Sequence, residues 1–121
     1  MIKIFENDKI LAQSLALEIL KELKKKKSLV LGCPGGRSLT KTYYYLGQLS
    51  EKLSISLDKL TIIMMDEYVY KKNHKYKLVN PKSHFSCVRF SKQVIKKVLN
   101  YKKDNSHSLK DKNILFPYIA S

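Results

Sequence analysis

Two short apolar runs, each ending in a polar loop, set the strongest limit on what this chain can fold into. Leu29-Val30-Leu31 leads into Gly32-Cys33-Pro34-Gly35-Gly36-Arg37-Ser38, and Thr61-Ile62-Ile63-Met64-Met65 leads into Asp66-Glu67-Tyr68. Both runs are short, apolar and non-alternating, the pattern of strands buried on both faces of a parallel sheet. Between them Leu39, Tyr43, Leu46, Leu49 and Leu53 recur at roughly helical spacing, with Gly47 as a weak point in the middle. Strand, helix and strand in that order make a βαβ unit, and its crossover is expected to be right-handed. Ligands of open parallel sheets bind beyond the carboxyl ends of the strands. The two polar loops are therefore expected at one edge, beside each other.

The flanking segments extend this α/β reading. Residues 2 to 5 read as a short edge strand. Asp8 is the expected N-cap of a helix to about Lys26, whose apolar stripe is Leu11, Leu15, Ile19 and Leu23 with Ala12, Ala16 and Leu20. Lys24 to Lys27 suit the negative end of that helix. Residues 70 to 81 read as one long basic loop, by its length a lid, a binding loop or a disordered segment. A short helix over 83–90 and another over 91–101 follow, the latter with Val94, Ile95, Val98 and Leu99 inward. Ile114-Leu115-Phe116 reads as a third central strand, stopped by Pro117.

Bulk properties narrow the class. A chain of 121 residues, 44% hydrophobic, is one domain with enough apolar surface for a core. Cys33 and Cys87 read as separate thiols of a reducing compartment rather than a disulfide framework. The chain starts with no secretory pattern and has no run long enough to cross a bilayer, so it reads as soluble and cytoplasmic, with no membrane association. The net charge is +14, but only Arg37 and Arg89 are arginines. Base and phosphate readers favour the rigid arginine fork, and the lysines here are scattered, so they read as a solvated surface ahead of a polyanion-binding one.

The chemistry-bearing residues cluster at the two loops. Gly35, Gly36, Arg37 and Ser38 precede a helix, where exposed backbone N–H groups favour an anion. Arg37 offers a bidentate clamp, and Ser38 or Thr40 a hydroxyl. The bland alternative is a tight strand-to-helix turn with Arg37 in solvent. The spacing fits neither a P-loop nor a dinucleotide fingerprint. Asp66 and Glu67 are adjacent, so in extended chain only one of them faces a cleft. Such a carboxylate is a candidate general base, or simply a solvated loop residue. His74, His84 and His107 lack metal-ligand spacing, and no metal is expected. Cys33 reads as packing.

These two loops resemble those of the glucosamine-6-phosphate deaminase and 6-phosphogluconolactonase family. Leu31 to Leu39 is similar to the family's glycine-rich phosphate loop, and Met64-Met65-Asp66-Glu67-Tyr68-Val69 looks most like the deaminase branch. Asn80-Pro81-Lys82-Ser83-His84-Phe85 resembles the next family segment, where a serine helps hold the sugar phosphate. The resemblance implies a Rossmann-like three-layer sandwich with a mostly parallel sheet, of which this chain would be the amino-terminal half. It implies a hexosamine 6-phosphate as substrate, Asp66 as the base at C2, and Gly35, Gly36, Arg37, Ser38, Glu67, Ser83 and His84 around the sugar phosphate. It implies no redox cofactor. Arg37-Ser38-Leu39 departs from the deaminase pattern toward a lactonase-like one. The family's second half supplies further acid–base and phosphate-gripping groups and completes the sheet. A homo-oligomer, a separate chain supplying that half, or marginal stability is accordingly expected. The other readings are a non-catalytic sugar-phosphate-binding remnant, a lactonase-like hydrolase and a basic nucleic-acid-associated protein.

Overall fold

The computed structural model describes residues 2–35, 37–80, 82 and 86–117. Helix α1 (Asp8–Lys26) opens the fold. Its N-cap is Asn7, not Asp8: the Asn7 side chain accepts a hydrogen bond from the Ile10 N–H at 2.9 Å. Asp8 instead pairs with Lys41 of the next helix. Ala12, Ala16, Leu20 and Leu23 are buried, whereas Leu11 and Leu15 are exposed, so the core-facing stripe is rotated from the one expected. The backbone of residues 2 to 5 forms no strand, and Ile2 and Ile4 are exposed.

Strand β1 (Leu29–Cys33), helix α2 (Thr40–Lys52) and strand β2 (Leu60–Met64) form the expected βαβ unit. β1 pairs with β2 in parallel from Leu29↔Leu60 to Cys33↔Met64. Strands β3 (Val69–Lys72) and β4 (Lys75–Leu78) make a separate antiparallel ribbon. Strand β5 (Ile114–Leu115) returns to the main sheet, parallel to β2, giving the order β1-β2-β5. A helical stretch runs unbroken through α3 (Cys87–Phe90), a π-helical stretch (Ser91–Lys96) and α4 (Lys97–Leu99), so the two separate helices expected here are continuous. The whole is α/β, with a mostly parallel three-stranded sheet and helices, consistent with a Rossmann-like arrangement.

The sheet is covered on one face. Cys33, Leu60, Ile62, Met64 and Ile114 are buried there with Leu20, Tyr43, Leu46, Ile95 and Leu99 of the helices. On the opposite face Val30, Ile63, Met65 and Leu115 are exposed, Val30 by 63%. β1 is thus an edge strand that alternates in burial, not the doubly buried strand its apolar run predicts. Gly47, the expected weak point of α2, is buried where that helix crosses the backbone of Val98 and Leu99. Its missing side chain allows the close approach.

The region after Tyr68 differs most from expectation. Residues 69 to 78 form the β3–β4 hairpin and not one long loop. Asn73 and His74 join its strands with φ of 53° and 62°. Positive φ at both central residues is the turn geometry that matches strand twist in a two-residue hairpin.

Candidate functional site

Two adjacent parallel strands deliver the two polar loops to the same edge of the sheet. The Cys33 carbonyl accepts from the Met65 N–H at 3.1 Å, so pairing continues to the last residue before Asp66. One turn further on, the Gly35 N–H donates to Asp66 Oδ1 at 3.4 Å. That contact joins the glycine turn to the acidic pair across a separation of 31 residues.

The adjacent carboxylates part company, as extended backbone requires. Asp66 is exposed and faces the glycine turn. Glu67 turns the other way and caps the helix that begins at Cys87. Its oxygens accept from the Cys87 N–H at 2.9 Å, the Val88 N–H at 3.0 Å and the Ser86 hydroxyl at 3.2 Å, as well as from its own neighbour Tyr68 N–H at 2.8 Å. Partial burial pushes the Glu67 carboxyl up, but these donors outweigh it and hold the group below the usual glutamate range. The Ser86 oxygen also accepts from the Arg89 N–H at 3.3 Å, in the manner of an N-cap.

The two helix starts near this edge are therefore different. The one at Cys87 already holds a carboxylate of the chain itself. The one at α2 follows the glycine turn, and its N-cap Leu39 supplies no side-chain hydrogen bond. The positive end of a 13-residue helix is left to other groups there. Arg37 and Ser38 are exposed in the turn leading into it.

Cys87 is the neighbour that sequence reasoning missed. A β-carbon built on Gly35 would lie 3.1 Å from Cys87 Sγ and 3.9 Å from Asp66 Oδ1. The thiol is buried, and burial together with the negative Glu67 and Asp66 pushes it up to about 11. It is a neutral packing group that shapes the turn. Ser86, also missed, is legible in retrospect as a serine just ahead of an apolar helical segment. Behind the turn, the Tyr43 hydroxyl donates to the Pro34 carbonyl at 3.2 Å. Burial raises both the Tyr43 phenol and the Cys33 thiol, so both stay protonated and structural.

Of the predicted residues, Gly35 and Asp66 are brought together, Arg37 and Ser38 lie in the adjoining turn, and Glu67 is engaged in capping. Gly36, Ser83 and His84 lie outside the described residues. Among the described residues no cluster of His, Cys, Asp and Glu suits a metal ion, and no helix is long and apolar enough to cross a membrane. A cavity of about 210 Å³ lined by Glu51, Ser54, Lys103 and His107, among others, shares no residue with this site.

A glycine turn and a carboxylate on adjacent parallel strands define an α/β domain with its polar edge at the strand ends. The fold of the chain is similar to that of solved structures. One is a monomeric glucosamine-6-phosphate deaminase, described as a missing link of the NagB superfamily, which superposes with a TM-score of 0.65 at 21% identity over 93% of this chain. The chain spans 40% of the length of that protein. The likeness establishes a shared fold. No protein-family model matches the sequence, and no curated protein is significantly similar to it.

Proposed function

We propose that the chain is a sugar-phosphate-binding domain of glucosamine-6-phosphate deaminase type. Its phosphate subsite is the turn from Gly35 to Ser38 at the α2 N-terminus, and Asp66 is the carboxylate beside the sugar. The observation that carries this reading is the Gly35 N–H to Asp66 Oδ1 contact beside a helix start without a side-chain cap. An anion at that helix start would gain from the backbone N–H groups and the dipole. Arg37 would add a charge-assisted contact. Asp66, held near by the same turn, would sit within reach of a sugar carbon bearing an exchangeable proton.

Isomerisation and deamination also need a proton donor at the ring oxygen and a second grip on the phosphate. In this reading those groups come from polypeptide beyond the matched 40%, packed on the open sheet face of Val30, Ile63, Met65 and Leu115. Parallel sheets are ordinarily covered on both faces, which supports that placement.

Heteronuclear NMR titration with glucosamine 6-phosphate, against inorganic phosphate, tests the reading. Saturable sugar-specific shifts at Gly35, Arg37, Ser38 and Asp66 are expected, weakened by Arg37→Ala and altered by Asp66→Asn. A well-dispersed spectrum that does not respond to the sugar phosphate would refute it.

A further inference from the structure

The β3–β4 hairpin has no part in the site just described, and it carries an unusual surface. All ten residues from 69 to 78 are exposed. They comprise four lysines, two tyrosines, one histidine and no acid. A two-stranded ribbon with both faces in water is marginal by itself. A segment that buries no side chain contributes little to the core, so its composition is free to serve a partner.

Register sorts these side chains by face. Residues directly opposite each other share a face, and faces alternate along each strand. Val69↔Leu78 and Lys71↔Tyr76 lie on one face, where Lys71 Nζ sits 5.8 Å from the Tyr76 ring centroid. Tyr70↔Lys77 and Lys72↔Lys75 lie on the other. That second face presents Tyr70, 46% exposed, among three lysines. By alternation Tyr68, 56% exposed, joins it at the root, about 7 Å from Tyr70 along the strand.

From this we infer that the Tyr68/Tyr70/Lys72/Lys75/Lys77 face of the hairpin binds single-stranded nucleic acid without sequence preference. Charge selects a polyanion. Protein interfaces are depleted in lysine, which argues against an acidic polypeptide as the occupant. Aromatic rings set among cations are the means by which proteins hold unpaired strands: bases stack on the rings and phosphates meet the charges. The scarcity of arginine, which argues against base-specific reading, is no obstacle to this mode. Stacking and phosphate contact need only a π-face and a positive charge.

Fluorescence anisotropy with a labelled oligothymidylate long enough to span the ribbon tests the inference. Tyr70→Ala leaves the net charge unchanged and is expected to weaken binding roughly 5- to 150-fold, the range for loss of one stacked base. The triple variant Lys72→Gln/Lys75→Gln/Lys77→Gln is expected to flatten the plot of log affinity against log salt by about 2, at about 0.7 per phosphate contact. A control, Lys21→Gln/Lys24→Gln/Lys25→Gln on α1, removes the same charge elsewhere and is expected to leave most of the slope. All these positions are exposed, so circular dichroism and thermal melting should match the parent. Full affinity in Tyr70→Ala, or equal losses in the two lysine triples, would overturn the proposal by reducing binding to general charge. Tighter binding to the corresponding duplex would overturn it too.

Discussion

Replacing Gly47 by alanine tests the packing that holds the candidate site together, and two effects of opposite sign make it decisive. Inside an exposed helix the change favours stability by about 1 kcal/mol, because glycine is the poorer helix former. Here the added β-carbon would lie 1.9 Å from the Val98 carbonyl oxygen, 2.8 Å from its carbonyl carbon and 3.1 Å from Leu99 Cα. Close carbon–oxygen contacts settle near 3.3–3.6 Å, so α2 and α4 must separate by about 1.5 Å. All three obstructing atoms are backbone, so no rotamer change relieves them. Overpacking of this kind costs about 1–3 kcal/mol, occasionally more, and a backbone clash belongs at the upper end. We expect a net loss of about 2 kcal/mol or more, which for a domain of this size lowers Tm by roughly 8 °C. Urea titration followed by circular dichroism reads it, with m unchanged if only the packing is affected. The Gly47 carbonyl also accepts from Lys103 Nζ at 3.2 Å, so movement of α2 here strains that contact as well. A Gly47→Ala protein as stable as the parent would refute the claim that this glycine is present for close helix approach.

Other expectations follow from the site. Glu67→Gln should cost about 1–2 kcal/mol, because the amide retains one good acceptor for four donors, and chemical denaturation measures it. The Glu67 carboxyl is held below its unfolded value. Its contribution is therefore full above the ordinary glutamate range and is lost as pH falls through the lowered folded value. Acid denaturation of Glu67→Gln should lack that component. Gly35→Ala should be mildly destabilising and relieved in part by Cys87→Ala, since the sulfur is the nearest obstacle at 3.1 Å; a double-mutant cycle without coupling would contradict the contact. Both thiols are buried, so iodoacetamide should label the native protein far more slowly than the urea-unfolded chain. The Ser106 hydroxyl, followed by His107, holds Asp104 down to about 2, and Ser106→Ala should move its NMR titration upward.

The sequence alone carried the βαβ unit with the helix before it and the strand at Ile114, and the position of both polar loops, because these are local. Apolar runs of strand length, a helical repeat from Leu39 and glycines after Cys33 dictate strand, helix and turn without reference to distant residues. It also carried the divergence of Asp66 and Glu67, which follows from the two-residue period of extended chain. Where residues 69 to 78 turn back on themselves was less legible, since Asn-His is a weaker hairpin signal than Asn-Gly.

Tertiary structure decided what depends on contacts between segments far apart in the chain. An apolar run such as Leu29-Val30-Leu31 looks the same whether one face is covered or two, and only the strand order made β1 an edge. Asp8, in the first turn of α1, found its partner in Lys41, 33 residues away. Glu67 became the cap of the helix at Cys87 only when folding brought Ser86 to Val88 beside it, 19 to 21 residues on. Gly47, a weakness by propensity, became a point of close approach once Val98 crossed it. The periodicity of a chain fixes its local elements, but which groups are desolvated, paired or left open is set by distances between them, and a linear pattern does not contain those distances.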